Sequence, residues 1–304
     1  NMVFTKTTLR DIIEDPTFYK LFCADHLINP QSFEQLSKFQ DVIILILKKS
    51  LQMTYNRQKN KWMMDTIRIE RLSENHGNFE FKEFTVKIPE KYPEALKGVD
   101  ELIQQIELLY SGTKANFISN VYFENHLYQP LLAKISDRID MISPSPLNEG
   151  EEKLVRSIRE YIQRNVELFE GKKIYLLRNI PKSGVGFYKN SWFYPDFIMW
   201  IVDADRQHIV FLEPHGMVYS AGKDDEKVQL AKEIKTIEQI VNSTSTEITD
   251  NIDVLLDSFI ISVTDPGKVA ENAIYKTKEN RKKYHVLSIY QSEFVKELFE
   301  FVLT

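Results

Sequence analysis

The chain has a single cysteine, Cys23, in 304 residues. That excludes an internal disulfide and any zinc site built from several thiolates. No apolar run approaches the roughly 18 residues that a membrane-spanning helix requires. The longest, Val42 to Leu47, suits only a buried helix segment. The start lacks the charged and apolar regions of a signal peptide. None of Gly171-Lys172, Gly222-Lys223 and Gly267-Lys268 is followed by the hydroxyl residue of a phosphate-cradling loop, so no ATPase motor is encoded here. Positive charge is not in excess either: the net charge is −5. Coating of nucleic acid by charge alone is thereby excluded, though not a local contact aided by a bound cation. Repeats and low-complexity tracts are absent. These absences lead to the expectation of a cytoplasmic protein with no membrane partner. Asn1 ahead of Met2 reads as a residue left by a cleaved tag, from which a truncated natural chain is expected.

What is present is an ordinary globular balance of 43% hydrophobic and 27% charged residues, with 14 Tyr and 19 Phe to fill a core. Two parts are expected. Residues 1–145 read as mainly helical with a short β element. Phe39, Val42, Ile43, Ile46, Leu47, Leu51 and Tyr55 recur at helical spacing within a pattern from Ser32 to Leu72. The basic run from Tyr55 to Lys61 follows; a helix end near nucleic acid is one reading of it, and a solvated helix face is the default. Phe79 to Ile88 alternates like a strand, and a helix is expected from Glu94 to Tyr110. Pro144 and Pro146, within the segment from Ile142 to Asn148, suggest the boundary.

Residues 146–304 change character. Asn148 can cap a helix from Glu149 to about Phe169, with Glu149, Glu151 and Glu152 in its first turn. A strand at Lys172 to Arg178 follows, then a hairpin from Trp192 to Met217 and a helix from Asp225 to Val241. Val254 to Val263 reads as a strand, followed by a short helix and a strand at His285 to Tyr290. The order α-β-β-β-α-β with an added α-β implies a mixed sheet flanked by helices, of the α/β or α+β class.

The hairpin carries the most chemistry. A turn at Asp203-Ala204-Asp205-Arg206 pairs residues whose numbers sum to 409, which sets Asp196 opposite Glu213. Directly opposed residues bring their Cβ atoms to about 4.5–5.5 Å. Two acids facing each other amid Phe193, Tyr194, Phe197, Phe211 and Leu212 should repel and resist burial. A divalent cation between them removes the conflict, and Mg²⁺ or Mn²⁺ prefers such oxygen ligands. Period-two alternation puts His215 on the face of Glu213. Two metal ligands and a group for handling protons or facing phosphate are the parts of metal-assisted phosphodiester hydrolysis. The alternative is an edge-strand irregularity at Pro195-Asp196 and a strand end at Glu213-Pro214.

Pro195-Asp196 and Glu213-Pro214-His215 resemble the signature of the restriction-endonuclease-like superfamily: Pro-Asp, a gap, then an acid, any residue and Lys. Three further segments resemble the C-terminal region of type III restriction-like DEAD/DEAH helicases: Tyr122 to Leu132, Leu147 to Glu151, and Phe211 to Gly216. The helix from Ile43 to Tyr55 is similar to one in the same proteins. The resemblance implies a Mg²⁺- or Mn²⁺-dependent DNA endonuclease, acting in restriction and phage defence with a helicase module as partner. It implies Asp196 and Glu213 as metal ligands, Glu151 as a supporting catalytic acid, and Lys227 and Gln229 as facing the site. The chain departs from the signature at one place, where His215 stands for the lysine.

Other candidates read as structural. His126 lies among Tyr122, Phe123, Leu127 and Tyr128 and is expected to pack or cap, as is His285. Cys23 has no base near it in sequence, so a nucleophilic role is not expected. The basic segment from Lys276 to Lys283 is either a phosphate contact or a solvated helix. Two rival readings of the whole are a nuclease-like module that binds nucleic acid or assembles without cutting, and a scaffold that docks a motor through its helical half.

Overall fold

The computed structural model describes residues 31–64, 83–104, 118–127, 131–134, 136–180, 187–188, 192–217, 226–244, 252–268 and 276–303. Cys23 lies outside them. The chain divides into two compact units, residues 1–66 with 188–191 and residues 67–187 with 192–304.

The first unit contains α1 (Phe33–Met64), the expected long helix. The remainder of that expectation, 65–72, lies outside the described residues. Ser32 starts α1: its Oγ accepts from Gln35 N–H at 3.2 Å and its carbonyl from Leu36 N–H at 2.9 Å.

The second unit opens with short elements. β1 (Thr85–Lys87) precedes α2 (Pro93–Gln104), which places Pro93 at a helical first position where its missing N–H costs nothing. β2 (Ile118–Asn120) pairs antiparallel with β3 (Leu132–Lys134), and β4 (Met141–Ser143) pairs antiparallel with β1. Val99, Ile118, Leu132, Ile139 and Ile142 form a small core there. The proline segment at 142–148 lies inside this unit, tied by Ile142 opposite Val86 and by Leu147 N–H donating to Leu132 O at 2.8 Å.

α3 (Glu149–Arg164) then leads into the main sheet. Asn148 caps it as expected, accepting from Glu151 N–H at 2.9 Å while Glu151 Oε2 accepts from Asn148 N–H at 2.9 Å. The helix is shorter than expected because Asn165 interrupts it. Asn165 Nδ2 bonds the Tyr161 carbonyl at 2.7 Å, and Val166–Phe169 continues as a separate 3₁₀ turn.

Five strands build the sheet: β5 (Lys173–Arg178), β6 (Phe197–Val202), β7 (Arg206–His215), β8 (Asp253–Ser262) and β9 (Val286–Ser288). Their order is β9-β8-β7-β6-β5. β5/β6 and β6/β7 are antiparallel; β7/β8 and β8/β9 are parallel. The three helices here are α4 (Glu226–Thr244), α5 (Lys278–Tyr284) and α6 (Phe294–Val302). This is an α/β fold with an N-terminal helix and a mixed sheet flanked by helices. None of the described helices is long and apolar enough to cross a membrane.

Leu154, Val155 and Ile158 of α3 and Phe294, Leu298 and Phe299 of α6 are buried, worth about 1.5–3 kcal/mol each. Tyr161 stacks on Phe299 at 5.5 Å and Phe169 meets it edge-on at 4.8 Å. Among the described residues β9 pairs with Ile260 to Ser262 of β8, and the rest of that edge meets other partners. α4 supplies them. Glu238 Oε2 accepts from Leu256 N–H at 2.6 Å, and Asn242 exchanges hydrogen bonds with both backbone groups of Val254 at 3.1 and 2.8 Å.

The expected strand at His285 starts one residue later. His285 itself has φ 51° and ends α5 in the left-handed conformation. Its ring stacks on Phe259 at 4.5 Å, the packed role expected of it. In the basic segment Arg281 pairs with Glu297 at 2.5 and 2.6 Å, whereas Lys282 and Lys283 are exposed.

Candidate active site

Pro195 has no N–H to give to a ladder, so the strand expected to run on from Trp192 is interrupted at Tyr194-Pro195-Asp196. β6 starts at Phe197 and leaves Asp196 at its lip. The β6/β7 register runs from Phe197↔Leu212 to Val202↔Gln207, so paired numbers sum to 409 as the turn predicts. Asp196 continues this register to Glu213, and its N–H donates to Glu213 Oε2 at 3.1 Å. Asn179 holds the interrupted segment in place. Its N–H donates to Asp196 O at 2.8 Å and its Nδ2 to Pro195 O at 2.9 Å.

Alternation along β7 sets Glu213 and His215 on one face. Lys227, in the first turn of α4, pairs with Glu213 Oε1 and lies 3.4 Å from His215 Nδ1. An ammonium has donors only, so in a hydrogen bond with Lys227 the Nδ1 atom is the acceptor. Gln229, two residues further along α4, points about 200° away from Lys227 at 100° per residue.

Glu151 belongs to the same end of the sheet. It is 2% exposed, and its Oε1 accepts from Arg178 Nη2 at 2.8 Å while Oε2 caps the helix. Both of its oxygens are therefore engaged, and it anchors Arg178. Gly150 permits this placement: a Cβ there would lie 2.6 Å from Val263 Cγ1, so only a glycine lets the first turn of α3 approach the end of β8 this closely. Arg178 in turn donates Nη1–H to Asn179 O at 2.7 Å, and its guanidinium sits 5.9 Å from the centre of the Phe197 ring. His126 is buried and accepts from Arg178 N–H at 3.0 Å, a capping role as expected.

Burial dominates the electrostatics. It pushes Asp196 up to about 6, with the Glu213 charge adding to the rise and Arg178 and Lys227 opposing it. Burial also raises Glu213 against the pull of Lys227, and raises Glu151 against Arg178. The structure thus brings together Asp196, Glu213, His215 and Glu151, with three acids facing two permanent cations.

Among the described residues no group of three or more His, Cys, Asp or Glu side chains is arranged to hold a metal ion. Asp196 and Glu213 would be the donors for one, although both Glu213 oxygens already accept hydrogen bonds, Oε1 from Lys227 and Oε2 from the Asp196 N–H. Two oxygen donors suit a hard cation that keeps most of its waters, and not a zinc ion that needs four protein or solvent ligands of softer type. The under-neutralised, burial-raised state of these acids fits such a cation.

Arg178 was not anticipated from the sequence. Its signal was an arginine closing an otherwise apolar strand, which once buried must find an acid. Lys227 faces the site as the resemblance implied, although it had no local signal, because its position depends on where α4 starts relative to β7. Comparison with protein-family models, with curated proteins and with solved structures gives no match for this chain.

Proposed function

We propose that the chain is a divalent-metal-dependent nuclease that hydrolyses DNA phosphodiesters, with a restriction-endonuclease-like arrangement of its sheet. The observation that carries this reading is the opposed pair Asp196 and Glu213 at the strand ends, with Lys227 reaching Glu213 and His215 from a separate helix. Asp196 and Glu213 would hold Mg²⁺ or Mn²⁺. The ion supplies polarisation of the phosphate and an acidified water. Lys227 provides the permanent positive charge that the signature assigns to the position of His215 and neutralises charge building on a phosphate oxygen. His215 donates a hydrogen bond to the phosphate. Arg178, fixed by Glu151, keeps the Asp196 segment seated through Asn179. A helicase module as partner belongs to the same proposal, since the chain carries no ATP-binding loop of its own.

The engagement of Glu213 by Lys227 favours a second reading, a module that retains the arrangement and binds nucleic acid without cutting it. Incubation of supercoiled plasmid and single-stranded DNA with the chain in Mg²⁺ or Mn²⁺ decides between them. Cleavage lost in Asp196→Ala and in EDTA is the expected result. An inert parent whose His215→Lys variant cuts would locate the defect at the histidine. Silence from the parent and both variants, with a helicase partner supplied, would sink the nuclease reading.

A further inference from the structure

The charge of α1 is distributed unlike that of the chain as a whole. From Ile46 to Met64 it contains Lys48, Lys49, Arg57, Lys59 and Lys61 and no Asp or Glu, although the chain carries −5 overall. On the same helix Phe33, Ile44, Leu51, Tyr55 and Trp62 fall within about 40° of one another at 100° per residue. All five are exposed, Leu51 at 63%, Tyr55 at 57% and Trp62 at 66%. Ile43 and Ser50, on another side of the helix, are buried. The helix therefore turns one line of side chains inward and leaves an aromatic stripe outward. Lys48 and Lys59 flank that stripe, and Lys59 Nζ stands 5.5 Å from the centre of the Tyr55 ring.

We infer that the exposed face of α1 from Lys48 to Trp62 binds single-stranded nucleic acid, with lysines on the phosphates and unpaired bases stacked on Tyr55 and Trp62. Lys48 and Lys59 beside the stripe, on a stretch whose own sequence has five basic residues and no Asp or Glu, match a polyanion. Exposed aromatic rings match base faces, which a duplex keeps hidden and a single strand offers. A membrane surface fits less well, because a helix lying in lipid needs a broad apolar face and this stripe is flanked by Gln40, Gln58 and the lysines. A second copy fits less well, because two such helices aligned in parallel bring like charges together. The inference goes beyond the proposed cleavage and stands without it.

The test uses the full chain in EDTA, so that binding is measured with cleavage switched off. Fluorescence polarisation with labelled oligo-dT is expected to show binding that tightens as salt falls. Tyr55→Ala with Trp62→Ala should weaken it about a hundredfold, while Tyr55→Phe with Trp62→Phe should retain it. Lys48→Gln with Lys59→Gln should reduce the slope of log affinity against log salt by about 1.4. Circular dichroism checks that each variant stays folded, as exposed positions should. Unchanged affinity in the alanine and glutamine variants would overturn the inference. So would equal binding of a duplex, or variants that lose only self-association or binding to anionic vesicles. Plasmid cleavage by α1 variants that bind oligo-dT as the parent does would sink this inference and leave the nuclease reading intact. An uncut plasmid with the expected oligo-dT results would do the reverse.

Discussion

The sheet carries two buried acidic centres, and they are settled in opposite ways. In the middle of β8, Asp257 bonds His208 Nε2 at 2.6 Å and pairs with Lys235 at 3.3 Å, with His285 Nδ1 at 3.8 Å. Burial alone would raise its pKa, yet the His208 bond and the Lys235 charge outweigh burial and hold it below the usual value. At the strand ends, Asp196, Glu213 and Glu151 are all raised by burial despite Arg178 and Lys227. Each centre contains a histidine and a lysine, so residue types do not distinguish them. The balance does: Asp257, bonded to His208 and sharing Lys235 with Glu238 at 2.9 Å, is a settled structural knot, whereas three acids sharing two cations retain an unmet demand for positive charge. Centres of the second kind recur where a ligand supplies the missing charge.

Several variants would break or sharpen that contrast. The largest expected effect is on turnover: Glu213→Ala should lower single-turnover plasmid cleavage about a thousandfold, or about 4 kcal/mol of barrier. Asp257→Ala should behave oppositely. It should cost about 3 kcal/mol of stability in denaturant unfolding and leave cleavage per folded molecule within about twofold. A stable Asp257→Ala protein that no longer cuts would erase the distinction between the centres. Next in size, Lys227→Met should slow cleavage about a hundredfold, against about tenfold for His215→Ala. Parity between the two would return the role of the positive charge to residue 215.

The smallest effect concerns stability against pH in chelator. Asp196 ionises near 6 in the folded chain and near 3.9 when unfolded. Between those values the folded state binds more protons, so ionisation of Asp196 lowers stability as pH rises. Asp196→Asn should therefore raise the melting temperature above pH 6, and the gain should vanish towards about pH 4. A gain that does not vary with pH would show that the Asp196 charge is not its source.

Much of the hairpin was legible because its determinants are local. A short turn fixes pairing, pairing fixes which residues oppose, and alternation fixes the face shared by Glu213 and His215. The cap at Asn148 was legible for the same reason. Helix and strand positions between Glu149 and Ser288 lay within a few residues of the expected ones. What escaped depends on distant parts of the chain meeting. Arg178 acquires its role only where α3 delivers Glu151; Lys227 was named by the resemblance, yet no local pattern marked it, because it meets the site only where α4 begins beside the end of β7. The break at Pro195 was visible as a proline, but the side-chain splint from Asn179 that seats Asp196 was not.

α4 also has two ends with different duties. Its first turn carries Lys227 to Glu213, and Asn242 near its other end is fastened to Val254. Fifteen residues separate them, about 22 Å of rise along a helix. The helix is fastened to β8 at Glu238 as well as at Asn242, and the position of the ammonium is expected to depend partly on that fastening. Loosening Asn242 would transmit play to Lys227 without touching any group at the strand ends. Seating of the lysine and sealing of the sheet edge are thus one mechanical property, borne by a single element.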